Sequence, residues 1–222
     1  METLQGKTAI ITGGGSGIGK AIAIALVREG ANVVIASRRA PSVEGALSVP
    51  CDVRRKTDTQ RVVADAKDRF GGIDILINNS GLGVQRKVVD CTEEDWHLVL
   101  DTNLTGTFLM TQAALPAMIA QRSGYIINIA SQAAKHGYAE AGPYCASKFG
   151  ILGFSEALQQ EVREYGIHVH CLCPALVQVP PPRNANDTRD DVLQTEDLAS
   201  TALFLLKQPR RVKYENIGLY RF

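Results

Sequence analysis

The sequence predicts an α/β fold in which a doubly wound, mostly parallel sheet of seven strands is flanked by helices, giving three layers. Two patterns carry that expectation. Short runs rich in Val and Ile at 8–12, 33–37, 47–51, 73–79, 125–129, 168–173 and 217–220 alternate with longer segments at 18–29, 57–70, 104–121, 144–165 and 195–206, whose apolar residues recur at helical spacing. Several of the short runs are apolar on both faces, as strands covered by helices on each side must be.

The first strand, TAIIT at 8–12, leads into the turn Gly13-Gly14-Gly15-Ser16-Gly17-Ile18-Gly19 and then into a helix that stops at Gly30, a residue free to close a helix with left-handed backbone. Between the second and third strands, the stretch 38–46 holds Pro41 and Gly45 and is too short for a crossover helix. A loop or a single turn must make that connection. A short helix at 93–100 would anchor Trp96 in the core. Pro180, Pro181 and Pro182 should hold an extended segment.

At 222 residues and 45% apolar, the chain can bury one large core but has no room for a second full domain, so 1–222 reads as a single binding and catalytic domain. A net charge of +1 offers no field for nucleic acid or anionic lipid. No apolar run reaches membrane-spanning length, the start carries no secretory pattern, and five scattered cysteines make no disulfide framework. The expectation is a cytoplasmic protein with reduced thiols and with neither a membrane nor a nucleic-acid partner.

A Gly-rich turn between a strand and a helix is where a dinucleotide pyrophosphate can sit on free backbone N–H groups at the positive helix end. Gly13, Ser16, Gly17, Ile18 and Gly19 are the candidates for that role, although a turn can also need glycine for conformation alone. The second strand ends at Ser37, followed by Arg38 and Arg39. A carboxylate there would bond the adenosine ribose and repel a 2′-phosphate, whereas a guanidinium pairs with that phosphate. NADP(H) is therefore expected, with NADPH preferred over NADH; the competing reading leaves both arginines as solvated surface charges.

In order and spacing, TGGGSGIG at 12–19, CDV at 51–53, NNSG at 78–81, Asn103, Ser131 and YCASK at 144–148 resemble the short-chain dehydrogenase/reductase family over most of the chain, from about Leu4 to Leu206. That resemblance implies a Rossmann fold, a nicotinamide dinucleotide and a catalytic set of Asn103, Ser131, Tyr144 and Lys148. It also implies that Asp52 and Val53 meet the adenine and that Asn79, Ser80 and Gly81 line the middle of the cofactor. Arg38 would take the 2′-phosphate, and Pro174, Ala175 and Val177 would lie beside the nicotinamide. The family commonly has Ala at Ser80, Gly at Ala175 and, more consequentially, Thr at Val179, whose hydroxyl holds the carboxamide. The segment 180–192 is short for a substrate-covering region, which implies an open pocket.

Tyr144 and Lys148 are four residues apart in a helical pattern and so share a face. A phenol with a pKa of about 10 exchanges protons poorly near neutrality; lowering it by about three units takes about 4 kcal/mol, for which Lys148 and an oxidised nicotinamide are the natural sources. Ser131 would donate to the substrate oxygen as hydride arrives at carbon, and Tyr144 would supply the proton. By resemblance, Asn103 helps hold a water that links Lys148 to solvent. Each residue also has a plainer reading: an interfacial aromatic, a solvated cation, a turn serine and a helix cap.

His168 and His170 alternate with Cys171 and Cys173, but period two puts the histidines on one face and the thiols on the other, so no metal site is expected. His136 could touch substrate or lie in solvent, Cys145 should be packed, and Arg86 with Lys87 could favour an anionic substrate. Family resemblance implies a homodimer or homotetramer built on the two long helices. The leading function is reversible NADP(H)-dependent interconversion of a carbonyl and a secondary alcohol. The alternative is a cofactor-binding regulatory or scaffolding protein of the same fold, motivated by Val179 and the short segment after it.

Overall fold

The computed structural model describes residues 3–39, 42–179 and 191–221. Expectations for the proline run and the substrate-side stretch at 180–190 lie outside the described residues. In chain order, β1 (Thr8–Thr12), α1 (Gly17–Arg28), β2 (Asn32–Ser37), β3 (Ala46–Pro50), α2 (Lys56–Phe70) and β4 (Ile75–Asn78) make the first half. Then follow α3 (Glu93–Leu100), α4 (Gly106–Gln121), β5 (Gly124–Ile129), α5 (Gly142–Val162), β6 (Ile167–Pro174), the short strands β7 (Val177–Gln178) and β8 (Leu193–Gln194), α6 (Thr195–Leu206) and β9 (Asn216–Leu219).

Seven strands pair in the order β3-β2-β1-β4-β5-β6-β9, and every pairing is parallel. The order reverses between β1 and β4, which opens a crevice at the carboxyl ends of the strands where such sheets bind ligands. Alternation along each strand feeds two cores. Ile11, Ile35, Ile77 and Ile127 face α1 and α6, while Ile10, Val34, Leu76 and Ile126 face the side that holds Val62 of α2 and Met110 of α4. All five residues of β1 and all four of β4 are buried, as the apolar runs required.

The connection from β2 to β3 holds no helix among its described residues, and Gly30 follows α1 with φ +78°, both as expected. Three details differ from the sequence-based reading. Trp96 is 42% exposed, so it does not anchor α3 in the core. The strand at 73–79 shrinks to β4, because Ile73 and Asp74 serve as ties to Gln121 and Thr8 instead. Between α3 and α4 the chain does not break; residues Asp101–Thr105 form a π-helical turn that carries Asn103, which caps no helix.

The histidines of β6 do share a face, and there His168 stacks on Tyr125 at 5.2 Å between ring centroids. His170 is buried, and its Nδ1 lies 2.6 Å from the Tyr214 carbonyl oxygen. A carbonyl only accepts, so Nδ1 carries the proton and Nε2 is a lone pair; among the described residues it has no partner. Burial, with His168 beside it, pushes the His170 pKa below its ordinary value. The unfolded chain therefore binds a proton that the folded one resists, and stability is lost as pH falls below about 6.5. Thermal melts at pH 7.5 and 5.5 should show this fall, and His170→Asn should reduce it; an equal fall in the variant would assign the acid sensitivity elsewhere.

Candidate active site

The carboxyl ends of the strands deliver the site. Thr12 ends β1, and its Oγ1 accepts from the backbone N–H groups of Asn79 (2.9 Å) and Ser80 (3.0 Å) just past β4. Asn79 answers with Nδ2, which donates to the carbonyls of Thr12 (3.0 Å) and Gly13 (3.3 Å). The turn after β1 is thereby fastened to the wall after β4. Gly19 packs so closely on this tie that a Cβ there would fall 2.6 Å from the Gly13 oxygen and against Asn79 Nδ2. Gly17 has φ +51°, a conformation L side chains rarely adopt.

Helix α1 starts with no side-chain cap from Ser16 and no acidic residue in its first turn. Its leading N–H groups are thus left to a ligand, and the helix end is electrostatically open to an anion. The turn opens on a cavity of about 1150 Å³ that runs past Ser37, Arg38, Arg39, Asp52 and Val53 at one end. It continues along Asn79, Ser80 and Gly81 to Ser131, Tyr144, Lys148, Pro174, Ala175 and Val177 at the other. Gly13, Ser16 and Ile18 line it as well, while Gly17 and Gly19 shape the turn without lining the cavity. An elongated cavity with an uncapped helix end at its middle and arginines at one end fits a dinucleotide.

At the far end, Ser131 follows β5, and its Oγ accepts from the Ala133 N–H at 3.1 Å. The Tyr144 hydroxyl lies on the same cavity wall as the Ser131 side chain, which favours its ionised form. One turn along α5, the buried Lys148 points its ammonium at the Ile129 carbonyl, 2.8 Å away, and lies 5.6 Å from the centre of the Tyr144 ring. Desolvation lowers the Lys148 pKa to about 8, with the thiols of Cys171 and Cys173 working against that fall. For Tyr144 the balance differs from the sequence expectation. Burial raises the phenol above its ordinary value, and the Ser131 hydroxyl only partly offsets it. In this structure the phenol holds its proton.

Asn103 is buried beneath the site rather than lining it. Its Nδ2 donates to the Leu82 carbonyl and to Ser147 Oγ, both at 2.9 Å, and its Oδ1 accepts from the Leu82 N–H at 2.9 Å. Both amide protons are spent, so a water can reach this side chain only through Oδ1. Ser147 in turn donates to the Tyr144 carbonyl at 2.7 Å, which ties the π-helical turn to α5. Sequence reasoning did not single out Ser147, although it sits in the YCASK run beside Lys148.

Several smaller expectations resolve here. Cys145 is buried. His136 is exposed and does not line the cavity. Arg86 is held by Asp95 at 2.9 Å, away from the cavity wall, so it does not serve as an anion anchor there. Val179 lines the cavity and packs toward Gly17, where an added Cβ would meet its Cγ1 at 2.8 Å. Arg54 and Thr102 also reach the wall and were not anticipated; the basic run after CDV was the available signal for the first.

Comparison with known proteins agrees with this geometry. The family model for short chain dehydrogenase matches residues 7–190. An uncharacterised oxidoreductase of Staphylococcus aureus is 34% identical over 98% of both chains. A sorbitol dehydrogenase of Cereibacter sphaeroides is 41% identical over 78% of this chain and 72% of its own length. The crystal structure of a levodione reductase superposes with a TM-score of 0.88 at 26% identity, covering 98% of this chain and 97% of the other. The chain belongs to the short-chain dehydrogenase family and is an oxidoreductase whose reaction joins alcohols and carbonyls.

Burial of an ammonium without a carboxylate partner opposes folding. With a folded pKa of about 8 against 10.5, the unfolded chain binds the Lys148 proton more tightly, so the group costs stability at neutral pH and releases that cost as pH rises from about 8 to 10.5. Lys148→Met should therefore raise thermal stability at pH 7, by on the order of 2 kcal/mol, while removing turnover. A Met variant less stable than the parent by denaturant titration would refute this account.

Proposed function

We propose that the protein is a reversible NADP(H)-dependent oxidoreductase that interconverts a carbonyl and a secondary alcohol, with Tyr144 as the general acid and base. The observation that carries the reading is that one cavity joins the Gly13–Ser16 turn to the side chains of Ser131, Tyr144 and Lys148. A bound nicotinamide dinucleotide supplies or takes up the hydride and, when oxidised, adds a positive ring that favours the phenolate.

The protein's own groups do the rest. Ser131 Oγ donates a hydrogen bond to the substrate oxygen and stabilises charge as it develops there. Tyr144, a protonated phenol in the free protein, gives that oxygen its proton in reduction and takes it back in oxidation. Lys148, softened to about 8 and pinned to the Ile129 carbonyl, supplies positive charge near the ring and a proton within reach of neutral pH. Asn103 positions Leu82 and, through Ser147, the start of α5. The names of two relatives, a dehydrogenase and a reductase, describe opposite directions of one reaction, which suits a reversible reading.

Arg38 and Arg39 on the cavity wall, with no carboxylate at the end of β2, support NADP(H) over NAD(H). We read residues 1–222 as one domain in the cytoplasm, a compartment that suits five unpaired cysteines. Among the described residues, no helix is long and apolar enough to cross a membrane. Phe108 on α4 and Phe149 on α5 are each more than 40% exposed, and so are Phe204 on α6 and Tyr220 past β9. Exposed aromatics on the two long helices and at the α6–β9 end support a homodimer or homotetramer. Light scattering on the eluting protein checks this, and a mass of one chain would remove it.

Turnover decides between the enzyme and the regulatory reading. NADPH oxidation with a panel of neutral ketones, quinones and 3-oxo acids should be measurable. Tyr144→Phe should lower kcat by about 10²- to 10⁴-fold while leaving dinucleotide affinity nearly unchanged. A Phe variant as active as the parent would refute the role of the phenol, and an inert parent across the panel would favour the regulatory reading.

A further inference from the structure

At the adenosine end of the cavity, the carboxylate of Asp52 is wrapped by one neighbour. Arg54 Nε lies 2.9 Å from Oδ1 and 3.1 Å from Oδ2, its Nη2 lies 2.6 Å from Oδ2, and its backbone N–H donates to Oδ1 at 3.1 Å. The carboxyl is held at a pKa of about 2, chiefly by these bonds from Arg54, so it stays ionised throughout the neutral range. Most of its acceptor positions are taken, which leaves little room for a further bond to the adenine that the family resemblance places against it. Asp52 is also the only carboxylate among the described residues that line the cavity.

We propose that Arg54 sets dinucleotide preference: pinned on Asp52, it cancels the charge of the one carboxylate among the described residues of that wall, so that Arg38 and Arg39 decide its sign. The inference rests on the NADP(H) reading above. Its physical basis is charge accounting. A bare carboxylate on this wall would repel the extra phosphate of NADP(H) and leave NAD(H) nearly untouched. A guanidinium offers five N–H donors in a rigid fork, and Asp52 engages only Nε and Nη2, so Nη1 remains for other work. Stability does not explain the arrangement, since the Arg54 side chain is 38% exposed and ion pairs in such settings contribute little to folding.

The test is titration of NADPH and NADH separately into the parent protein, Arg54→Ala and the double variant Asp52→Asn/Arg54→Ala, followed by intrinsic fluorescence, with thermal melts alongside. The parent should bind NADPH more tightly. Arg54→Ala should narrow that preference by about tenfold, almost entirely through weaker NADPH binding, with little change in melting temperature. The double variant should recover much of the lost preference, because it also removes the uncovered charge. Equal weakening of both dinucleotides by Arg54→Ala, or no recovery in the double variant, would overturn the role given to Arg54. A parent that binds NADH as well as NADPH would instead overturn the NADP(H) reading itself, independently of the variants.

Discussion

The clasp between Thr12 and Asn79 is the contact on which the site depends. One hydroxyl receives two backbone N–H groups from the far side of the strand reversal, and one carboxamide returns two bonds to the carbonyls at the end of β1. Parallel strands have no hairpin to set the relative height of their ends. Side chains must do it, and here they do it where the crevice opens. With the clasp in place, the uncapped start of α1 faces the cavity, and the segment after β4 forms the wall opposite Tyr144.

Electrostatics inside the crevice trade stability for chemistry. Lys148 is a buried cation whose recorded partner is a carbonyl, and Tyr144 is a buried phenol kept neutral by the same dry surroundings. Neither state favours folding over a well-packed apolar side chain. Both suit a proton that must be given up only when charge appears beside it. The phenol's elevated pKa in the free protein is consistent with this, since the pull toward phenolate then comes with the bound partners instead of being paid in advance.

Much of the fold was legible because its signals are local. Apolar runs alternating with helical periodicity gave five of the helices and all seven strands of the main sheet, and YCASK gave a one-turn spacing that α5 preserves. Elements fixed by tertiary contact were not legible. Trp96 has the composition of a core residue, but its side of α3 faces outward, and nothing within eight residues of sequence encodes that. The end of β4 was overextended because Ile73 is as apolar as its neighbours, while its N–H is claimed by Gln121 from α4. Arg54 is the first of three basic residues in a row, a pattern that does not reveal that its side chain closes back on Asp52 two residues earlier.

The wide turn at Asp101–Thr105 has a further meaning for how this helix can vary. A π turn is equivalent to one residue inserted into an ordinary α-helix, and one residue corresponds to about 100° of rotation about the axis. Shortening this stretch by a single position would restore regular winding and swing Asn103 off the side that meets Leu82 and Ser147. Length here is therefore as constrained as identity. The loops at the cavity mouth can gain or lose residues far more freely than this one coil.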